Sequence, residues 1–384
     1  MNHLPHPPPV RDRVAAVFVE LAAIPSPSRR ERGVADRVTV FLEALGLVVR
    51  EDEAASAIGG TCGNLCCRVS GVGDTAAILL AAHLDTVAPT AEIEPVLRDG
   101  VFSNANDTIL GADNKAAVAA MLVATERLVR SGDPFPTYDM VFTVAEEVGV
   151  MGAKQVAKEL LSGPFAAVFD AAGPVGGITV RAPSQQSIVA IFRGVAAHAG
   201  LEPERGRSAI EAAARAIASM HLGRIDGETT ANVGVIEGGI AQNIVPDLCV
   251  VRAECRSHDE VKLAHVAAGI VDALQRGAAE IGVDVDVDMV HGYRAFALAP
   301  RSPIVRLAKA AVSDLGLESR LLASGGGSDA NVFNARGLPT VNLDCGMTHV
   351  HTPDEHISLD DLERLVRLVE TLVRKAPEYA HAGS

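Results

Sequence analysis

The apolar positions of this chain change their rhythm twice. Up to about residue 178, segments of helical spacing alternate with near-continuous apolar runs. Residues 14–24 and 33–45 predict two helices, the second ending before Gly46. AAILLAAHLDT is a run of small and branched residues and predicts a strand buried on both faces. NKAAVAAMLVATERLVR predicts a helix with Ala-rich packing faces, closed at Ser131-Gly132. DMVFTVAEE then predicts a strand, AKQVAKELL a helix and AAVFDAAG a strand. Helix and strand in alternation imply a mostly parallel sheet with helices on both faces.

From Gln185 to about Val290 the order becomes β-α-β-β-α-β, through SIVAIFRGVA, SAIEAAARAIASM, TANVGVIEG, DLCVVRAECR, EVKLAHVAAGIVDALQRGAAE and VDVDVDMV. The last alternates with period two, as a strand with one wet face does. This is the order of a ferredoxin-like split βαβ unit. The α/β rhythm then resumes with a helix over 302–315, the Gly-rich SGGGSDANVFNARG and the strand PTVNLDCG. The expected fold class is therefore α/β, with an inserted ferredoxin-like α+β domain over 179–291 interrupting one large domain of residues 1–178 and 292–384. Gly177, Pro183 and Gly292 mark the expected hinges, near 178–184 and 288–294.

Composition narrows the partners. The 384 residues carry a formal charge of −14, which argues against nucleic acid or an anionic membrane surface. Aromatic residues make up 3% of the chain and Trp is absent, so Ala, Val and Leu must fill the core. No apolar run reaches membrane-spanning length. The start, MNHLPHPPPV, lacks a basic n-region and predicts a frayed tail rather than a secretory signal. The cysteines at 62, 66, 67, 249, 255 and 345 have no second Cys/His pair at zinc-finger spacing. NLCCRVSG is strand-like, so packed, reduced thiols in a cytoplasmic protein are expected.

The polar residues at the strand ends are the candidate chemistry. His83 and Asp85 share a face in extended chain, so Asp85 can hold one imidazole nitrogen while the other faces a metal. H-x-D alone is a weak signal, since a histidine satisfied at a strand end is the commoner case. Asp113, just before a helix, is alone an ordinary N-terminal Asp. Glu146 and Glu147 are adjacent and point in roughly opposite directions. Asp170 ends AAVFD, and His351 stands in GMTHVHTPDEHIS with His349 and His356 nearby. Together they do what none does alone. Ligand sites of open parallel sheets lie beyond the carboxyl ends of the strands, where His83, Glu146, Glu147 and Asp170 fall. So many acids need a cation. Mixed histidine and carboxylate donors suit zinc, or manganese or cobalt in its place.

With these motifs in order, HLDT, GADNKAAVAA, AEEVGVMGA, VFDAAGPVGGI, GVAAHAG, AQNIVPD and GMTHVHTPDEHIS, the chain resembles the two-zinc exopeptidases. That family includes peptidase T, carboxypeptidase G, aminoacylase and succinyl-diaminopimelate desuccinylase. GGSDANVFNARGLPTVNL and HAGLEPERGRSAIEAA are most similar to the peptidase T-like branch. The resemblance covers nearly the whole chain and makes the insertion a lid and dimerisation domain.

The resemblance implies roles. His83 and Asp170 would hold one ion, Glu147 and His351 the other, and Asp113 would bridge them, with Asp85 orienting His83. Glu146, free of metal, would be the general base, which gives adjacent glutamates separate tasks. Two ions about 3.5–4 Å apart can lower the pKa of a shared water towards roughly 7, so that hydroxide attacks the amide carbon. His198 would supply an oxyanion donor, reaching into the site of the other subunit of a homodimer. Asn243, Arg256 and Gly326 are the expected substrate contacts, Arg256 by gripping a carboxylate.

Three functions compete. The first is a short-peptide exopeptidase of the tripeptide aminopeptidase kind. The second is an N-acyl-amino-acid deacylase or carboxypeptidase with the same site. The third is a non-catalytic binding protein on the scaffold, against which the complete ligand set and Glu146 speak. Two departures from the usual family pattern, AEE in place of PDEE or TDEE and Asn114 in place of Asp, bear on the branch and touch no ligand.

Overall fold

The apolar run before His83 forms the strand Leu79–His83, buried along its whole length. It lies between Tyr138–Thr143 and Ala166–Ala171 and runs parallel to both. Thr340–Asp344 continues the sheet parallel to Ala166–Ala171. Antiparallel strands flank this parallel centre: Val49–Glu51 and Leu65–Val69 on one side, and Gly177–Ala182 on the other. The parallel centre brings the carboxyl ends of three neighbouring strands together, at His83, Thr143 and Asp170. This is the placement that makes a site.

The computed structural model describes residues 9–161 and 163–380. Residues 1–8 of the expected frayed tail lie outside the described residues, and its last residue, Val10, instead begins the helix Val10–Ala22. The helix Ala112–Ser131 packs on the central strands, and a row of alanines (Ala116, Ala117, Ala119, Ala120, Ala124) permits the close approach. Its end at Gly132 is left-handed, the conformation that glycine adopts at least cost. Val10–Ala22 and Leu359–Ala380 pack against it in turn. The expected helix over AKQVAKELL is broken. A short helix, Met151–Gln155, stops where Val156 turns extended and buries its side chain, and a 3-10 turn follows at Lys158–Leu161. Two features go beyond the sequence expectations. One is a small sheet of Pro95–Arg98, Val101–Asn104, Met347–Thr348 and His356–Ser358, and the other is the long helix Leu359–Ala380.

Val180 ends the first stretch of this unit, which resumes at Ala297–Ala323 and again from Ser328. Arg181–Phe296 and Ser324–Gly327 form a second unit. Its antiparallel sheet runs in the order Gly223–Arg224, Thr229–Gly238, Leu248–Ser257, Ser184–Arg193, Asp284–Tyr293. In the central strands alternate residues are buried: Ile188, Ala190 and Phe192 from one, Cys249, Val251, Ala253 and Cys255 from the next. The helices Ala209–Ala218 and Glu260–Ile281 supply Ala212, Ala213, Ala216, Leu263, Ile270 and Leu274 to the same core. Each helix starts with a side-chain cap, Ser208 on Glu211 N–H and Asp259 on the N–H groups of Val261 and Lys262. Ser324–Gly327, which the sequence reading left in the large domain, groups with this unit for a steric reason. Gly327 donates its N–H to the Tyr293 hydroxyl at 3.1 Å, and a Cβ there would fall 2.2 Å from the Tyr293 ring.

All six cysteines are free and buried. Burial pushes the Cys62, Cys66 and Cys67 thiols up to about 12, so they stay protonated and inert. Among the described residues no helix is long and apolar enough to cross a membrane.

Candidate metal centre

Two imidazoles meet one carboxylate. His83 Nε2 lies 3.1 Å from Asp113 Oδ1 and 3.0 Å from Asp170 Oδ1. His351 Nε2 lies 3.2 Å from Asp113 Oδ2 and 3.0 Å from Glu147 Oε1. The donor atoms of His83, Asp113 and Glu147 fall within 4.8 Å of one another, as do those of His83, Glu146 and Asp170. The structure thus gathers six of the expected residues of the large domain into one cluster.

The elements explain the arrangement. His83 and Asp170 are carried on neighbouring parallel strands. Asp113 precedes the regular part of its helix, where the Asp113–Asn114 peptide is cis. Glu355 fixes this segment from behind, accepting the N–H groups of Leu110, Gly111 and Asp113, each at 2.8 Å. Asn114 turns its amide onto the Phe169 carbonyl at 2.6 Å, tying the Asp113 segment to the Asp170 strand.

The electrostatics are those of a site short of positive charge. Burial pushes the Glu146 carboxyl well above the usual carboxylate range, and the nearby Asp170 charge adds to it. Burial likewise pushes Asp170 up to about 7. Burial alone would lower the His83 pKa, but Asp170, Asp113 and Asp85 hold it well above the usual imidazole range. Hydrogen bonds to Asp113 and Glu147 raise His351 to about 10. Protons therefore neutralise charge that a divalent cation would neutralise better. The donors, nitrogen and carboxylate oxygen only, fit such an ion, and the cluster could hold metal.

Asp85 does more than orient His83. His83 Nδ1 makes its close contact, 2.9 Å, to the Asp85 backbone carbonyl, with the carboxylate oxygen at 3.5 Å. The carboxylate instead accepts the N–H groups of Glu146 and Glu147, at 2.9 and 3.1 Å, and the Ser28 hydroxyl at 2.7 Å. It fixes the backbone on which both glutamates stand.

The second unit holds the other expected residues in two pairs. The chain around His198 runs antiparallel to that around Asn243, with Ala199 N–H on the Asn243 carbonyl at 3.0 Å and Val245 N–H on the Ala197 carbonyl at 2.9 Å. His198 is exposed, and its Nδ1 accepts the N–H groups of Gly200 and Leu201 at 3.1 and 3.2 Å. A neutral ring so held carries its proton on Nε2. Arg256 forms a fork with Glu254, at 2.9 and 3.0 Å, and Gly326 lies beside its guanidinium. The carboxylate that Arg256 grips here is therefore one of this chain's own.

Sequence reasoning missed several buried acids. Glu355 is one. Asp329 is another: it is bonded to Thr143, its other oxygen is unpartnered, and burial raises it to about 6. Asp329 lies in the quoted GGSDANVF motif and Glu355 in TPDEH. No pattern in either marks a buried carboxylate.

An α/β sheet carrying this cluster at its carboxyl ends, with an inserted α+β unit, is the architecture of a metallopeptidase. The chain belongs to peptidase family M20/M25/M40, whose model matches residues 79–375. It is 37% identical over 364 residues to the uncharacterized protein YqjE of Bacillus subtilis (strain 168), covering 95% of this chain and 98% of that one. Aminopeptidase PepT from Bacillus cereus superposes with a TM-score of 0.82 at 38% identity, over 96% of this chain and 99% of the other. A tripeptidase from Staphylococcus aureus subsp. aureus Mu50 gives a TM-score of 0.87 at 35% identity, over 96% and 99%. The chain is thus a peptide-bond hydrolase of the peptidase T-like branch, and its peptidase chemistry is metal-dependent.

Proposed function

We propose that the chain is a dinuclear exopeptidase that removes residues from short peptides, in the manner of a tripeptide aminopeptidase. The observation that carries this is Asp113, whose two oxygens each meet a different imidazole, His83 and His351. A carboxylate so placed can serve two ions. His83, Asp113 and Asp170 would hold one, and Asp113, Glu147 and His351 the other. Zinc suits the donors best, with manganese or cobalt as substitutes. Bound ions would supply Lewis-acid polarisation of the scissile carbonyl and a lowered pKa for water.

The chain's own residues do the rest. Glu146 takes a proton from the attacking water as the new C–O bond forms, then gives it to the leaving amine as the C–N bond breaks. Asp85 keeps Glu146 and Glu147 on fixed backbone, so that one serves metal and the other the proton. His198, with its proton on Nε2, donates to the developing oxyanion. Arg256 and Asn243 bind the substrate beside Gly326, and a substrate carboxylate displaces Glu254 from Arg256. The 179–291 insertion is the lid and dimer contact, through which His198 serves the partner's site. Six buried, unpaired thiols fit a cytoplasmic enzyme.

Hydrolysis of tripeptides, dipeptides and N-acyl amino acids, each with added zinc, manganese or cobalt, tests the proposal. Tripeptides cleaved from the amino end are the expected best substrates. Preference for N-acyl amino acids would shift the function to a deacylase.

A further inference from the structure

Four consecutive backbone N–H groups leave the end of the Tyr138–Thr143 strand, and a side chain takes each of them. Val144 N–H goes to Asn64 Oδ1 at 3.1 Å and Ala145 N–H to Glu31 Oε1 at 3.0 Å. Glu146 and Glu147 N–H go to the two oxygens of Asp85. The three acceptors come from separate stretches of sequence, and all are wholly buried, at 0% exposure. The carbonyls of the turn are satisfied within it: Val144 by Gly152 N–H, Ala145 by Met151 N–H and Glu146 by Val150 N–H. All four N–H groups from Val144 to Glu147 thus go to buried side-chain acceptors, which set the shape of the turn.

Ala145 is the unusual member. Its φ is 52°, left-handed, where a side chain crowds the following carbonyl. It immediately precedes Glu146, so its backbone angles set where both glutamates point. Glu31 holds it there. The same Glu31 oxygen accepts a second N–H, from Arg29 at 2.6 Å, and Arg29 is left-handed too, at φ 72°. One buried oxygen thus pins two strained residues, one of them beside the catalytic pair. Such an anchor costs desolvation, and Glu31 Oε2 has no partner at all. Capping the helix Arg32–Glu43 does not account for it, because the Glu31 side chain makes no cap bond there.

We propose that Glu31 is a positioning residue for the Glu146–Glu147 pair, acting through the backbone of Ala145. It holds Ala145 left-handed, and that conformation aims Glu146 at the substrate and Glu147 at its ion. The inference rests on the peptidase function proposed above.

The test compares Glu31→Ala, Glu31→Gln and the double variant Glu31→Ala/Ala145→Gly, each assayed well below its melting temperature. Two quantities are read: kcat and KM on a tripeptide, and the zinc affinity of the metal-free chain by chelator competition. Glu31→Ala should lose about 10- to 100-fold in kcat, the scale of a small misplacement, with KM within about two-fold of wild type. It should also bind zinc more weakly. Glu31→Gln keeps an acceptor oxygen and should stay within about three-fold of wild type in kcat and zinc affinity. Adding Ala145→Gly to Glu31→Ala relieves the left-handed strain and should recover part of the lost kcat. A purely structural Glu31 would lower the melting temperature and leave kcat and zinc affinity intact, which would overturn the proposal. So would equal damage in Glu31→Gln and Glu31→Ala. If Glu31→Ala does not fold, Glu31→Asp withdraws the oxygen by one methylene and carries the test, with a kcat loss expected and wild-type kcat contradicting it. Should the wild-type chain hydrolyse no peptide, the proposed function fails, and the zinc affinities alone decide the role of Glu31.

Discussion

Asp113 presents its Oδ2 to His351 Nε2 at 3.2 Å while its Oδ1 faces His83. Nearly 270 residues of chain separate the two histidines, and one carboxylate joins them. Removing this carboxylate should therefore disturb both metal positions. Elemental analysis of purified variants should find Asp113→Ala with less metal than either His83→Ala or His351→Ala. Full loading of Asp113→Ala would show that the carboxylate bridges nothing.

The adjacent glutamates should separate by variant. Glu146→Gln should keep its metal and lose about 10²- to 10⁴-fold in kcat, the usual worth of a general base. Glu147→Gln should lose metal first and activity as a consequence, restored in part by excess zinc. Equal metal loss in both variants would mean that the pair is assigned the wrong way round.

Much of this was legible in the sequence. Period and order reveal the parallel sheet and the insertion, because burial on two faces and burial on one leave different apolar rhythms. His83, Asp113, Glu146, Glu147, Asp170 and His351 stand in motifs, since metal ligands must be of a few chemical kinds. What holds them is not so marked. Asp85 reads as a partner of a histidine, yet its carboxylate grips the backbone of Glu146 and Glu147. Backbone N–H groups exist at every residue, and only the turn of the chain shows which need an acceptor. Glu31, Asn64 and Glu355 are acceptors of that kind and look like surface polar residues in the sequence. Arg256 reads as a grip for a substrate carboxylate, whereas the structure gives its fork to Glu254, two residues before it on the same strand.

The turn that carries the glutamates should tolerate no added methyl at Gly152. A Cβ there would fall 2.2 Å from the Val144 carbonyl and 2.6 Å from Asn64 Oδ1. Gly152→Ala should cost about 1–3 kcal/mol, as overpacking usually does, read as a lower melting temperature. An unchanged melting temperature would contradict the closeness of this packing.

The role proposed for His198 crosses a subunit boundary and predicts complementation. His198→Ala and Glu146→Ala should each be inactive alone. Mixed and refolded together, they should regain part of the wild-type rate, because one site of a mixed dimer combines both intact residues. A monomer in sedimentation at working concentration would end this part of the account.

The central claim is a two-ion site that drives peptide hydrolysis. Its most direct measurement is metal content against tripeptide turnover, as a chelator strips the enzyme and zinc is returned stepwise. The account predicts two ions per chain, loss of turnover on stripping and recovery that is complete at two equivalents. Full turnover from a chain shown to be free of metal would contradict it.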